Sequence, residues 1–184
     1  CMGAEAALVR PQFMSGTHTL TVALFGLLRT GDTLLAATGR PYDTLEGVIG
    51  IGDAGKGCGT LREFGVNYDE CPLLPDFTPD YAGIAEKAKT ATVVHIQRSR
   101  GYTQRNAFDL ATIQKVADTA RKANPNAVIF VDNCYGEFTQ TAEPVSFGAD
   151  IMAGSFIKNP GGGIPPTGGY IAGRKDLVEK CSHR

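Results

Sequence analysis

Lys158 ends an apolar run, "DIMAGSFIK", and is followed at once by Asn159, Pro160 and a glycine triplet. Lysine is costly to bury and is almost never buried without a partner or a chemical role. The glycines at 161–163 leave room for a ligand to approach the backbone, and Ser155 shares that ligand if the backbone curls. The alternative is a solvated lysine at a strand exit. We take Lys158 as a candidate reactive amine.

Asp132 closes a second apolar run, "AVIFVD" (127–132), which has the length of a buried strand. In open α/β sheets, ligands bind beyond the carboxyl ends of the strands. An acid at that position is therefore a candidate site residue. The alternative is a turn aspartate that caps the following segment.

A third candidate is "SGTHTL" (15–20), a polar opening to an apolar helical pattern. The amino end of a helix has free N–H groups and a partial positive charge, which suit a phosphate. Ser15, Gly16 and Thr17 would add hydroxyl groups and allow close backbone approach. The alternative is a plain helix cap.

Together these three features predict a site for pyridoxal phosphate. A lysine forms a Schiff base with an aldehyde cofactor, a carboxylate pairs with its pyridinium nitrogen, and a helix end holds its phosphate. The carboxylate keeps the ring nitrogen protonated, so that the ring can absorb the electrons of a carbanion. The order along the chain is phosphate loop, Asp132 and Lys158, as in fold-type I pyridoxal enzymes.

Four segments carry a family resemblance: "RPQFMSGTHTL", "IQRSRGY", "VDNCYGEF" and "GSFIKNPGGGIPPTGGYIAG". They resemble the bacterial methionine gamma-lyase-like, or aluminium-resistance, proteins, a branch of the cystathionine beta-/gamma-lyase group. The resemblance implies the large domain of a fold-type I transferase, with a mostly parallel central sheet and helices on both faces. It also implies a pyridoxal phosphate-dependent carbon–sulfur lyase, which performs β- or γ-elimination on a sulfur amino acid such as methionine or cystathionine.

The resemblance also assigns residue roles. Lys158 forms the Schiff base, Asp132 pairs with the pyridine nitrogen, and Tyr42 stacks on the cofactor ring and shuttles protons. The phosphate contacts that the resemblance implies fall on the start of the first predicted helix and on one strand residue, namely Gly16, Thr17 and Ser155.

Other positions have competing interpretations. His18 either stacks on the cofactor ring in place of the tyrosine or caps its helix. Tyr135 and Gln97 are candidates for contact with the cofactor's phenolic oxygen, and the tyrosine is equally a packed aromatic at a strand exit. Arg98 and Arg100 either bind a substrate carboxylate, which a guanidinium fork matches, or form a solvated surface pair.

Helical and strand patterns alternate along the chain, which indicates an α/β sheet with helices on its faces. The opening "CMGAEAALVRPQF" is predicted to be helical. The other predicted helices are 17–28, 43–51, 80–89, 109–124 and one that begins at 175. The predicted strands are 32–38, one within 61–74, 91–97, 127–134, 150–158 and 168–174.

Composition excludes several classes of function. The chain has 184 residues and a net charge of −1, so it lacks the basic surface of proteins that bind nucleic acid or anionic membranes. No apolar run approaches the roughly 20 residues that span a bilayer. Five cysteines without a CxxC pair argue against a disulfide framework or a metal site and predict a cytoplasmic protein.

The chain opens with Cys1, and enzymes of the resembled group are longer. We therefore expect residues 1–184 to be the cofactor-binding large domain, without an amino-terminal segment and a carboxy-terminal small domain. Such a piece need not bind the cofactor tightly or turn over. The expected partners of the whole protein are a small amino-acid substrate and further copies of itself, as a dimer or tetramer.

Two alternatives stay open. The first is another pyridoxal enzyme, such as an aminotransferase or a decarboxylase. The second is a non-catalytic α/β module that binds a nucleotide through "GIGDAGK" (50–56). The dinucleotide fingerprint needs a strand before it and a helix after it, and a P-loop needs Ser or Thr where this chain has Gly57. A mobile loop near the site is the preferred interpretation.

Overall fold

A seven-stranded sheet runs through residues 2–184, the part of the chain that this computed structural model describes. Its order is β1-β7-β6-β5-β4-β2-β3. Strands β2 to β6 pair in parallel, whereas β7 is antiparallel to β6 and β1 is antiparallel to β7. The strands are β1 (Ala6–Arg10), β2 (Thr33–Ala36), β3 (Asn67–Glu70), β4 (Val93–Gln97), β5 (Val128–Asp132), β6 (Ile151–Ser155) and β7 (Gly169–Gly173).

Helices cover both faces of the sheet. One apolar cluster joins the sheet to α3 and α4, and a second joins it to α1, α2 and α5. This arrangement confirms the predicted mostly parallel α/β architecture. The helices are α1 (Gly16–Leu27), α2 (Asp43–Ile49), α3 (Tyr81–Lys87), α4 (Leu110–Ala123) and α5 (Lys175–Ser182), with short 3₁₀ turns at Ala88–Thr90 and Pro144–Phe147.

The central strands are apolar because helices press on both of their faces. Every residue of β4 and β6 is buried, which is typical of parallel strands inside an α/β sheet. Helix α4 instead buries only one stripe, and Asp109 caps its start by accepting the Thr112 N–H at 2.8 Å. Both the apolar strands and the single apolar stripe of α4 were predicted from the sequence.

Residues Ala6–Arg10 form strand β1, so the helix predicted for the opening of the chain was wrong. Strand β1 pairs along its whole length with β7, from Ala6 opposite Gly173 to Arg10 opposite Gly169. Ala6 and Leu8 pack against the cluster that contains α1 and α5. Ladder hydrogen bonds and this packing outweigh the helix propensity of the alanines, because propensity is a weak preference that tertiary contacts override.

No helix among residues 2–184 is both long and apolar enough to cross a bilayer. In the same part of the chain the cysteines at 58, 71, 134 and 181 are free thiols. Cys1, which belongs to the predicted set of unpaired cysteines, lies outside the described residues.

Candidate active site

A cavity of about 610 Å³ opens at the carboxyl ends of the central strands, beside the start of α1. This is the edge where ligands bind in open α/β sheets. Most of the predicted site residues meet there. Those that line the cavity are Ser15, Gly16, Thr17, Tyr42, Arg100, Asp132, Tyr135 and Lys158.

Lys158 lies in the turn after β6, not within the strand as predicted. The chain curls because the Lys158 N–H donates to the Ser155 carbonyl oxygen at 3.4 Å, which ends the ladder. Its Nζ lies 4.1 Å from the centroid of the Tyr135 ring, a cation–π contact. Burial alone would lower the pKa of Lys158, but the acidic groups around it, Cys134 first among them, outweigh burial and raise that pKa.

Asp132 is the last residue of β5 and lies at the middle of the sheet, as predicted. The side chain is 4% exposed, and Oδ1 accepts the Cys134 N–H at 3.0 Å. Burial raises the pKa of Asp132, while that hydrogen bond and the charge of Lys158 oppose the rise. A buried acid of this kind is stabilised by any cationic group that enters the cavity beside it.

The amino end of α1 offers an anion site with one unsatisfied hydroxyl group. Ser155 is fully buried, and its Oγ has no hydrogen-bond partner. A Cβ on Gly16 would lie 3.3 Å from the Ser155 Cβ, so a glycine allows the helix end to approach the strand this closely. A buried hydroxyl without a partner is rare, and an anion at this helix end would supply one.

Two other residues at the amino end of α1, Ser15 and Thr17, already have hydrogen-bond partners within the protein. The Ser15 Oγ accepts the His18 N–H at 3.1 Å, which makes Ser15 the cap of α1. The Thr17 and Thr44 hydroxyl groups share a hydrogen bond at 2.5 Å. Both residues still line the cavity, so the plain cap and the ligand contact are compatible at Ser15.

Tyr42, not His18, lies at the cavity. The Tyr42 ring is 5.9 Å from the ring of Tyr102, another cavity residue, at an angle of 32°. The His18 side chain is instead hydrogen-bonded to the segment before α1, because its Nδ1 accepts the Met14 N–H at 3.2 Å. Local hydrogen bonding therefore favours the capping interpretation for the histidine.

Gln97 ends β4 and positions the backbone around the cavity. Its Oε1 accepts the Tyr42 N–H at 2.7 Å, and its Nε2 donates to the Ser99 carbonyl oxygen at 3.1 Å. Both ends of the amide are thus used within the protein. The structure supports an indirect role for Gln97, through Tyr42, and does not bring it to the cavity lining.

The two candidate arginines, Arg98 and Arg100, lie in different environments. Arg100 is exposed and lines the cavity. Arg98 is 2% exposed, and its guanidinium donates to Asn133 Oδ1 at 2.8 Å and lies 3.6 Å from Glu143 Oε2. Arg98 is therefore neither a solvated surface residue nor available to a substrate in this arrangement, because buried acceptors already hold it.

The glycine-rich loop at 50–59 is occupied by the chain's own carboxylate. Glu63 accepts the N–H groups of Gly57 at 2.5 Å, Gly59 at 2.8 Å and Thr60 at 3.0 Å. These bonds lower the pKa of Glu63. Helix α2 precedes the loop and turns follow it, so the strand and helix that a nucleotide fingerprint requires are not in place. The loop also contributes no residue to the cavity lining.

A buried polar network behind the cavity had no signal in the sequence. Glu137 is 1% exposed, its Oε1 accepts the Tyr170 hydroxyl at 3.1 Å, and its Oε2 has no partner. Asn133 donates to Glu143 at 2.9 Å and to the Tyr170 oxygen at 3.1 Å. A Cβ on Gly154 would collide with Glu137 and lie 2.6 Å from the Tyr170 oxygen, so the strand has no side chain there. Burial raises the pKa of Glu137 to about 7.

We expect Glu137→Gln to flatten the pH dependence of stability above pH 5. The folded protein holds the Glu137 proton up to about pH 7, whereas the unfolded chain releases it near its ordinary pKa of 4.5. Stability from this group is therefore present at pH 4.5 and is lost as the pH rises to 7, by up to about 3 kcal/mol. Urea unfolding at pH 5 and pH 8 measures the change. Glu86→Gln, on an exposed side chain, is the control, and parallel pH curves for Glu137→Gln and wild type would contradict the expectation.

Comparison with known proteins places the whole chain in one family. The family model of methionine gamma-lyase matches residues 1–184. The Bacillus subtilis protein YnbB is 48% identical over 99% of this chain and 43% of its own length. A solved carbon–sulfur lyase involved in aluminium resistance from Clostridium novyi is 49% identical, with a TM-score of 0.93, over 99% of this chain and 43% of that chain. The chain thus spans less than half the length of these relatives.

More distant solved structures share the fold. The methionine gamma lyase CalE6 from Micromonospora echinospora has a TM-score of 0.71 at 21% identity, and the pyridoxal-5'-phosphate-dependent protein YhfS from Escherichia coli has a TM-score of 0.72 at 19% identity. Each aligns with nearly all of this chain and 43% of its own. The sheet and helices described above therefore have the fold-type I arrangement that these two proteins share, and the chain belongs to the methionine gamma-lyase family.

Proposed function

We propose that this chain is the cofactor-binding large domain of a pyridoxal phosphate-dependent carbon–sulfur lyase. The observation that carries the proposal is the convergence of Lys158, Asp132 and the amino end of α1 on one cavity. The unsatisfied Ser155 hydroxyl beneath that helix end fits a phosphate group, and the buried acid fits a protonated ring nitrogen. The residues present therefore suit this cofactor.

Each residue has a distinct task. Lys158 would hold the cofactor aldehyde and then take the α-proton of the substrate, Asp132 would keep a proton on the pyridine nitrogen, and Arg100 would bind the substrate carboxylate. Tyr42 would lie against the cofactor ring, held by the Gln97 amide. When bound, pyridoxal phosphate supplies an electron sink for bond cleavage at the α-carbon of the amino acid.

The raised pKa of Lys158 bears on this chemistry. At neutral pH the cofactor-free protein carries an ammonium group that rests on the Tyr135 ring. Only the neutral amine is a nucleophile or a base, so the proton has to leave before Lys158 acts. The protein alone does not supply a lowered lysine pKa.

The choice of a carbon–sulfur bond rests on the relatives. The Clostridium novyi protein, at 49% identity, is described as a carbon–sulfur lyase. We propose β- or γ-elimination on a sulfur amino acid such as methionine or cystathionine, in a cytoplasmic homo-oligomer. The relatives are longer than this chain. We propose that this protein too has further segments, which would form an amino-terminal arm and a small domain.

A direct assay separates this proposal from an aminotransferase. The full-length protein, purified with pyridoxal phosphate, is incubated with methionine or cystathionine, and keto acid, ammonia and thiol are measured with and without an added keto-acid acceptor. A lyase forms all products without the acceptor. Keto acid that forms only with the acceptor, and without thiol, would contradict the proposal and favour the aminotransferase.

A further inference from the structure

Beside Lys158, one amide connects two loops of the cavity that are distant in sequence. The Asn159 Nδ2 donates to the carbonyl oxygen of Tyr135 at 3.0 Å and to that of Glu137 at 3.0 Å. Both N–H groups of the amide are thereby used. The turn after β6 is in this way tied to the loop after β5, which follows Asp132.

We propose that Asn159 is a positioning residue that holds the Lys158 turn and the Tyr135 loop together, so that the lysine amine stays over the tyrosine ring and beside Asp132. The geometry stands without a cofactor, whereas the consequence for catalysis rests on the proposed function. Asn159 itself does not line the cavity, so it acts through its neighbours.

The backbone of Tyr135 needs such a restraint. Its φ is +66°, in the left-handed region that a bulky side chain rarely adopts. Strain of this kind persists only where surrounding contacts fix the conformation. Asn159 binds the Tyr135 carbonyl directly, and the Gly136 N–H donates to the Asn133 carbonyl oxygen at 2.8 Å. Without the amide, the loop is free to relax and to take the aromatic ring away from Lys158.

The chemistry of the side chain is specific. Two carbonyl oxygens face Asn159, so its partner group must donate twice. An aspartate has the same shape but only accepts at neutral pH, and an alanine makes neither bond. Asn159→Asp and Asn159→Ala therefore remove the same contact by different means, and agreement between them excludes a general effect of side-chain size.

The experiment measures the reactivity of the Lys158 amine in the cofactor-free protein. Acetic anhydride labels the lysines, and mass spectrometry of peptides gives the labelling rate at Lys158 and at exposed Lys180. Loss of these two hydrogen bonds predicts a rise in the Lys158 rate of about tenfold in both Asn159 variants. The Lys180 rate should not change. The control Asn126→Ala, in the exposed turn before β5, should leave both rates as in wild type.

The pH profile of labelling distinguishes positioning from a loss of structure. Asp132, Cys134, Tyr135 and Tyr42 face the Lys158 amine and raise its pKa. Release of the turn takes the amine away from them, so the midpoint of the profile should move to lower pH in Asn159→Ala, which adds no charge beside the lysine. General loosening of the protein would also raise labelling at Lys87, which is partly buried in an ion pair with Asp69.

A double variant tests the coupling. Tyr135→Gly removes both the aromatic ring and the strained side chain, and it should raise Lys158 labelling to a similar level. If the amide acts through the Tyr135 loop, Asn159→Ala with Tyr135→Gly should add no further increase. Rates that multiply, or an Asn159 variant that labels like wild type, would overturn the proposal.

The outcomes for the two proposals are separable. In the cofactor-loaded protein we expect the Asn159 variants to retain pyridoxal phosphate about tenfold less tightly, from the same hydrogen-bond loss. If the full-length wild-type protein binds no cofactor, the proposed function fails while the labelling result still tests the role of Asn159. If wild type is an active lyase and Lys158 labelling is unchanged in the variants, only the positioning role fails.

Discussion

Lys158→Ala is expected to abolish the yellow absorbance of the protein loaded with pyridoxal phosphate and to lower kcat by about 10³-fold or more. The loss combines the covalent attachment of the cofactor with proton transfer at the substrate, and general base catalysis alone contributes about 10²–10⁴-fold. An absorbance scan, repeated after borohydride treatment, measures the first effect. Assay of keto acid measures the second.

The fold should survive this change. Lys158 is half-buried in a turn, and the bonds of that turn run through its backbone and through Asn159. We expect the melting temperature of the cofactor-free variant to stay close to that of wild type. Lys122→Ala, on the exposed side of α4, is the matched control and should keep both colour and activity. A yellow band that persists in Lys158→Ala would remove this lysine from the mechanism.

Asp132→Asn is expected to shift activity and stability in opposite directions. Asparagine keeps the shape of the side chain but cannot hold a proton on the pyridine nitrogen, so kcat should fall by about 10²-fold or more, in the range of proton-transfer catalysis. The cofactor should still bind, because Lys158 and the helix end are intact. Assay of the loaded full-length enzyme measures the loss.

The stability change follows from the sign of the pKa shift. In the cofactor-free protein burial raises the pKa of Asp132 above its unfolded value. Its contribution to stability is therefore full below that unfolded value and decreases as the pH rises through the folded one. Asparagine has no such loss, so the cofactor-free variant should melt higher than wild type at pH 7. Asp118→Asn, on an exposed helix position, controls for the lost charge. An Asp132→Asn enzyme of wild-type activity would exclude the role of this carboxylate.

Local pattern was sufficient for the ends of the central strands. The apolar run before Asp132 left few alternatives to a buried strand. The position of that strand in the sheet then placed Asp132 at the edge where ligands bind. The same argument placed Lys158 at the correct edge. The predicted strand was longer than the observed β6, because a backbone hydrogen bond and not a change in side-chain type ends the strand.

The features that the sequence did not reveal depend on hydrogen-bond acceptors that only folding brings into place. Arg98 is held by Asn133 and Glu143, and Asn159 reaches back to the loop after β5. Arg105, also unmarked in the sequence, is buried and donates to the carbonyl oxygens of Gln97 at 2.9 Å and Asn106 at 2.8 Å. Nothing in the spacing of such residues distinguishes them from surface polar residues, since only tertiary structure supplies the acceptors.

Strand β6 loses side-chain volume as it nears the cavity, from Ile151 and Met152 to Ala153, Gly154 and Ser155. The start of α1 closes on one side of this tip, and the Glu137–Tyr170 pair closes on the other. Larger residues at the tip would have to push apart a helix or a buried carboxyl group. The cavity lining also includes the exposed ring of Tyr102, at 85% exposure, which has space to change. New substrate preferences should therefore evolve by replacement at Tyr102, while the strand tip stays small in every variant that still folds.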